Sequence, residues 1–303
     1  MRAAFLIMQE RYLAQHGTVA RRHDVLLAGL NLRASVLEAG AGEPLLLLHG
    51  GGTSAIILEP LLSRLQSHFH LYAPDRPGCG LSDGCNYQDV PLREHARDFV
   101  KAVLDSFGIT KVTLLGSSVG GYFSLVFALA YPERVNKLIL LGAPTGIDRR
   151  VPLFFIPLGI PHLNRLLYRP SVSLMRMVLR RLVADERKLP ETIDQVAYAV
   201  ATLPGAKESW LSLLEELMTL GHLNPRHDIR DELTHLDIPT LFIWGEEDYF
   251  APPSSGEQCC AMMPQARIEI LPQVGHLVWM DQLERCTELI AAFVQSSLDD
   301  RSP

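Results

Sequence analysis

The pentapeptide Gly116-Ser117-Ser118-Val119-Gly120 constrains this chain more than any other feature, because it joins an apolar β-type run to an amphipathic helical one. A serine at the tip of so tight a strand-to-helix turn takes a strained backbone conformation, and the residues two places either side must lack side chains. Gly116 and Gly120 meet that demand and select Ser118 over Ser117 as the exposed hydroxyl. The helix that starts after Ser118 aims unpaired amides and the positive end of its dipole at the turn, with Val119 supplying the adjacent N–H. A turn serving only tight packing or phosphate binding is the bland alternative, but neither a Gly-x-Gly-x-x-Gly spacing nor a Walker lysine is present.

Around this turn, short leucine-rich or β-branched runs alternate with longer amphipathic ones, as in repeated strand and helix units. Strands are expected at 24–27, 32–37, 44–48, 71–74, 111–115 and 137–141, with helices at 56–65, 93–107 and 119–130. The runs 45–48 and 138–141 lack polar alternation, as expected of strands covered on both faces. From 143 to 236 the strand signal stops and prolines punctuate a helical region. Alternation then resumes with strands at 240–244 and 267–271 and helices near 256–263 and 282–297. The expected architecture is α/β, a doubly wound, mostly parallel sheet. Residues 1–142 and 237–303 would form its core and 143–236 an inserted helical lid.

With 303 residues, 48% hydrophobic and 20% charged, the chain can bury a large core. A net charge of -6 gives no electrostatic footprint for nucleic acid, so no such partner is expected. The five cysteines show neither metal-ligand spacing nor a framework of pairs, and no metal or cofactor is expected. The apolar stretch 3–8 is followed by Glu10 and Arg11 without a small-residue cleavage site and reads as a short amphipathic helix. No apolar run is long enough to cross a bilayer. A soluble, cytoplasmic protein is expected, with its oligomeric state open.

The chain resembles the α/β-hydrolase superfamily, in particular its lidded serine-esterase-like members, over nearly everything after residue 23. His49-Gly50-Gly51-Gly52 resembles the oxyanion loop of that family, and Asp75-Arg76-Pro77-Gly78-Cys79-Gly80-Leu81-Ser82 the turn after its next strand. A serine hydroxyl needs a histidine to take its proton and an acid to orient that histidine. The resemblance implies the order serine, acid, histidine, and of eleven histidines only His276, after the last strand, fits. Glu246, Glu247 and Asp248 all follow the strand at 240–244; the Gly-x-x-Asp resemblance gives the acid role to Asp248, with Asp148 as fallback. It likewise implies the N–H groups of Gly51 and Val119 as oxyanion donors.

The stretch 151–160 is too apolar for a solvent-facing loop, so Phe154 and Phe155 are candidate pocket residues. Arg176, Arg180 and Arg181 are most simply a solvated face. The expected function is hydrolysis of a carboxylic ester with a moderately hydrophobic acyl or alcohol group through an acyl-enzyme. A serine at the elbow argues against epoxide hydrolases and haloalkane dehalogenases. The alternative is a carbon–carbon bond hydrolase acting on vinylogous diketone ring-cleavage products. That group usually has Gly-Pro-Gly after the oxyanion loop, asparagine before the serine and tryptophan after the histidine. This chain has Thr53-Ser54-Ala55, Ser117 and Leu277 there. A binding scaffold with little turnover is the reading from a different class.

Overall fold

Every one of the eight expected strands forms in the computed structural model, which describes residues 1–143, 146, 151–219 and 221–296. They are β1 (Ala20–Leu27), β2 (Leu32–Ala39), β3 (Pro44–Leu48), β4 (His70–Pro74), β5 (Val112–Ser117) and β6 (Val135–Leu141). After a two-stranded ribbon, β7 (Met218–Thr219) and β8 (His222–Leu223), come β9 (Thr240–Gly245) and β10 (Ala266–Leu271). The main sheet runs β1-β2-β4-β3-β5-β6-β9-β10. β2 pairs antiparallel with β1 and β4, and every other pairing is parallel. This is an α/β-hydrolase fold.

Alternation along the central strands explains why their runs are apolar throughout. Leu46, Leu48, Leu114 and Leu140 enter one core with Phe99, Phe123 and Phe127 of the helices Leu92–Ser106 and Val119–Ala130. Leu45, Leu47, Leu115 and Ile139 enter the other with Leu61, Leu62 and Ile290 of Glu59–Leu65 and Leu283–Gln295. Each fully buried leucine contributes roughly 1.5–3 kcal/mol of transfer free energy, so a polar residue on either face would be costly. The helix Val119–Ala130 stops where Pro132 removes a donor and restricts Tyr131 before it.

The chain leaves β3 toward β4 on one side and returns through β5 on the other. That reversal opens a crevice at the C-terminal ends of β3 and β5, the usual ligand position in open α/β sheets. The segments 49–52 and 118–120 both start there.

Between β6 and β9 no element among the described residues joins the main sheet. The helices Leu163–Leu167, Val172–Leu182, Ile193–Ala201 and Ala206–Leu217 occupy this segment. The ribbon β7–β8 departs from the all-helical expectation; Asn224 donates its N–H to Leu217 O at 2.8 Å, and Gly221 takes φ 79°. The N-terminal helix Arg2–Gln15 buries Phe5, Gln9, Tyr12 and Leu13 on one face, which packs on Ile193–Ala201. Among the described residues no helix is long and apolar enough to cross a membrane.

Candidate active site

Ser118 sits at the start of its helix with φ 51° and ψ −121°, a strained conformation for a residue with a side chain. Close approach explains the flanking glycines. A Cβ at Gly120 would fall 2.1 Å from Leu48 O, and one at Gly116 2.6 Å from Gly120 O. The turn is held by the Ser118 N–H donating to Leu141 O at 3.2 Å and the Gly121 N–H to Ser118 O at 2.8 Å.

His276, 3% exposed, donates Nδ1–H to Asp248 Oδ2 at 2.8 Å. The other carboxylate oxygen of Asp248 accepts from the N–H groups of Phe250 at 2.7 Å and Ala251 at 3.3 Å. With Nδ1 so engaged, the lone pair lies on Nε2, the tautomer a base needs. The Phe250 ring covers the imidazole with centroids 4.4 Å apart. Asp148 lies outside the described residues, and Glu246 and Glu247 are exposed turn residues.

The segment after β3 is fixed from beneath by two side chains. Arg76, fully buried, donates its backbone N–H to His49 Nε2 at 3.0 Å, Nε–H to His49 O at 2.9 Å and a guanidinium N–H to Gly50 O at 2.7 Å. His49 in turn donates Nδ1–H to Gly50 O at 2.8 Å; burial, then the Arg76 charge, holds its pKa well below the usual imidazole range. His49 is therefore a neutral structural member of the loop. Asp75 braces the same floor, accepting from Ala55 N–H at 2.7 Å and Leu81 N–H at 2.8 Å, and burial pushes its carboxyl up to about 6.

These groups open onto one cavity of about 510 Å³. Gly51, Ser118, Val119, His276, Phe154 and Phe155 all line it, and Asp248 stands behind His276. The rest of the wall is overwhelmingly apolar, including Leu158, Leu174, Met175, Leu179 and Leu214 from the inserted segment. Among its described residues there is no Lys, Arg, Asp or Glu.

Several contributors escaped the sequence reading. Trp210, from the helix Ala206–Leu217, lies so close to the glycine loop that a Cβ on Gly51 would fall 2.4 Å from its ring. Its one signal is being the sole tryptophan of the segment 143–236. Trp279 lines the cavity and donates Nε1–H to Ile57 O at 3.1 Å, so an indole comes from two positions beyond Leu277. Gly142, φ 47°, leaves room for Asp248 and His276: a Cβ there would lie 2.9 Å from His276 O and 3.1 Å from Asp248 Oδ2. Buried Asp281 accepts from Gly275 N–H at 2.8 Å, Ala184 N–H at 2.9 Å and Asp185 N–H at 3.0 Å. One carboxylate thereby ties the loop of His276 to the inserted segment, and nothing in its sequence context announces this.

The sequence pattern of the alpha/beta hydrolase fold matches residues 43–283. The chain belongs to this family. This hydrolase is 30% identical over 281 residues to the 2-hydroxy-6-oxononadienedioate/2-hydroxy-6-oxononatrienedioate hydrolase of Paraburkholderia phymatum, covering 89% of this chain and 94% of the relative. It is 29% identical over 273 residues to the 2-hydroxy-6-oxo-6-phenylhexa-2,4-dienoate hydrolase of Burkholderia cepacia, covering 87% and 92%. Among solved structures, the carboxylesterase of Bacillus subtilis matches with a TM-score of 0.78 at 19% identity, covering 98% of this hydrolase and 99% of that chain. At that identity the likeness establishes the fold alone.

The sequence relatives correct the expectation of carboxylic ester cleavage. Neither 2-hydroxy-6-oxo acid named for them contains an ester, so their hydrolysis breaks a different bond. The error has a physical origin. A nucleophile, base and oxyanion loop specify attack on a carbonyl, whereas the group expelled is chosen by the surrounding wall.

Proposed function

We propose that this hydrolase cleaves the carbon–carbon bond beside the 6-oxo group of 2-hydroxy-6-oxohexa-2,4-dienoates that carry an apolar 6-substituent. The similarity to hydrolases of 2-hydroxy-6-oxo dienoic acids, over 89% of the chain for a dioate hydrolase and 87% for a 6-phenyl acid hydrolase, carries the choice of bond. The choice of an apolar substituent over a second carboxylate follows from a wall without a cation among its described residues, since burying an unpaired carboxylate costs several kcal/mol or more.

In this reading Ser118 is the nucleophile, His276 the general base and acid, Asp248 the group that orients the imidazole, and the N–H groups of Gly51 and Val119 the oxyanion donors. Expulsion of carbon needs a stabilised carbanion. Moving the 2-hydroxyl proton to C5 gives the 2-oxo form, whose carbonyl and C3–C4 double bond can accept an electron pair from C5. Ser118 Oγ then attacks C6 as His276 Nε2 takes its proton, and the oxyanion forms against Gly51 and Val119. Collapse breaks the C5–C6 bond and expels the dienolate, which takes the His276 proton to become 2-hydroxypenta-2,4-dienoate. Water, deprotonated by His276, releases the carboxylic acid from Ser118. Tyr168 also lines the cavity, but burial pushes its phenol up to about 12, which leaves His276 as the base at neutral pH.

Residues 143–236 act here as a lid that keeps water from the carbanion, with Phe154 and Phe155 against the 6-substituent. Steady-state kinetics on the 6-phenyl acid and on the nonadienedioate test this. The expected kcat/KM for the 6-phenyl acid exceeds that for the dioate by about ten-fold or more. A preference for the dioate would overturn the apolar assignment, and failure to cleave either would overturn the reaction.

A further inference from the structure

Arg76 carries a fully buried guanidinium that no step of the proposed reaction uses. Among the described residues no carboxylate pairs with it. Asp75, the residue before it, spends its two carboxylate oxygens on the N–H groups of Ala55 and Leu81. The described titratable groups that feel its charge supply no anion at neutral pH: burial pushes the Cys79 thiol and the Tyr87 phenol up, and His49 is neutral. A cation without a counter-charge is disfavoured in a protein interior, and this one lies directly beneath the glycine loop.

There it meets the underside of two peptide groups. Its Nε–H donates to His49 O at 2.9 Å and a guanidinium N–H to Gly50 O at 2.7 Å, and the neutral His49 adds Nδ1–H to Gly50 O at 2.8 Å. Each carbonyl shares a planar unit with the N–H of the following residue, which in a trans peptide points the opposite way. The unit of Gly50 O therefore carries the N–H of Gly51. Gly50 and Gly51 line the cavity and Arg76 does not, so this peptide plane stands between the cation and the reaction space. A Cβ on Gly50 would lie 3.3 Å from Ser118 Cβ, which sets the plane against the nucleophile. Two donors on one carbonyl polarise its amide, and hydrogen bonds chained in this way strengthen one another.

We propose that Arg76 is the electrostatic backing of the oxyanion site: it orients and polarises the Gly51 N–H, and its charge goes unmatched until an oxyanion forms across that peptide. The inference deepens the reading above, since it rests on Gly51 as an oxyanion donor, but it does not depend on which bond is broken. Arg76 touches no reacting atom and is a positioning residue. Its influence is greatest when the carbonyl oxygen is fully charged, so it lowers the barrier more than it tightens substrate binding.

Benzeneboronic acid and acetophenone share a ring and separate the two states. Ser118 Oγ bonds to boron as its proton passes to His276, which leaves a tetrahedral anion, whereas the ketone stays neutral. Calorimetry on the full chain should show the boronic acid binding at least about ten-fold more weakly to Arg76→Gln, with acetophenone within about two-fold of the wild type. On the 6-phenyl acid the same variant should lose kcat at little-changed KM. Arg76→Lys keeps a cation, but a buried lysine titrates below its usual range and arginine does not. Its boronic acid affinity should stay near that of the wild type at about pH 6 and fall behind it by about pH 9, a comparison within one folded variant that stands even if Arg76→Gln does not fold. A wild-type-to-lysine ratio that is constant over this range, or equal losses for both ligands in Arg76→Gln, would overturn the proposal. If boronic acid binding answers to Arg76 while the 6-phenyl acid is not cleaved, the backing stands and the carbon–carbon reading falls.

Discussion

At the floor of the cavity, groups are held by directional bonds: Asp248 accepts three hydrogen bonds, Arg76 fastens the carbonyls of His49 and Gly50, and Asp281 clamps Gly275. At the roof, Phe154, Phe155 and Trp210 meet edge to face, with centroids 5.4 and 6.3 Å apart in the successive pairs, and aliphatic chains fill the rest. The floor therefore places atoms to within the tolerance of a reaction, while the roof supplies volume and dryness. In the proposed reaction, the chemistry common to many substrates would sit below and the choice among them above.

Substitutions should separate the two halves by size and kind of effect. On the floor, Ser118→Ala is expected to lower kcat by roughly 10^4 to 10^6-fold and Asp248→Asn by about 10^4-fold, both at nearly unchanged KM, measured on the 6-phenyl acid. A loss confined to KM would break the division. Beneath the floor, Asp75 tests preorganisation through stability. Its folded carboxyl, at about 6, binds a proton more tightly than the unfolded one near 3.9, so stability is full below about pH 4 and falls as pH rises toward 6. The loss is up to about 3 kcal/mol, and Asp75→Asn should flatten it in denaturant titrations at pH 4 and 7. An unchanged pH slope would place the titration elsewhere. On the roof, Phe155→Ala should cost only about ten-fold in kcat/KM for the 6-phenyl acid and less for a 6-methyl acid, chiefly through KM. Equal losses on both acids would sharpen the view against a roof contact with the 6-substituent.

The same division explains what could be read in the sequence. Strands covered on both faces are written as uninterrupted runs such as 45–48, and the elbow needs glycine at 116 and 120 because a Cβ at either would clash with Gly120 O or Leu48 O. Such constraints are local, so β1 to β6, β9, β10 and the glycine-framed turn were legible. What escaped depends on contacts across long separations: Trp210 over Gly51, Trp279 against Ile57, Asp281 between two loops. Leu277, standing where a tryptophan was sought, argued against carbon–carbon cleavage, yet the indole enters from Trp279.

The direct test of carbon–carbon cleavage is product identity by mass spectrometry after incubation with 2-hydroxy-6-oxo-6-phenylhexa-2,4-dienoate. The expected result is benzoate and 2-hydroxypenta-2,4-dienoate in equal amounts, with neither formed by Ser118→Ala. Intact substrate after exhaustive incubation with the wild type, or equal benzoate from Ser118→Ala, would contradict it.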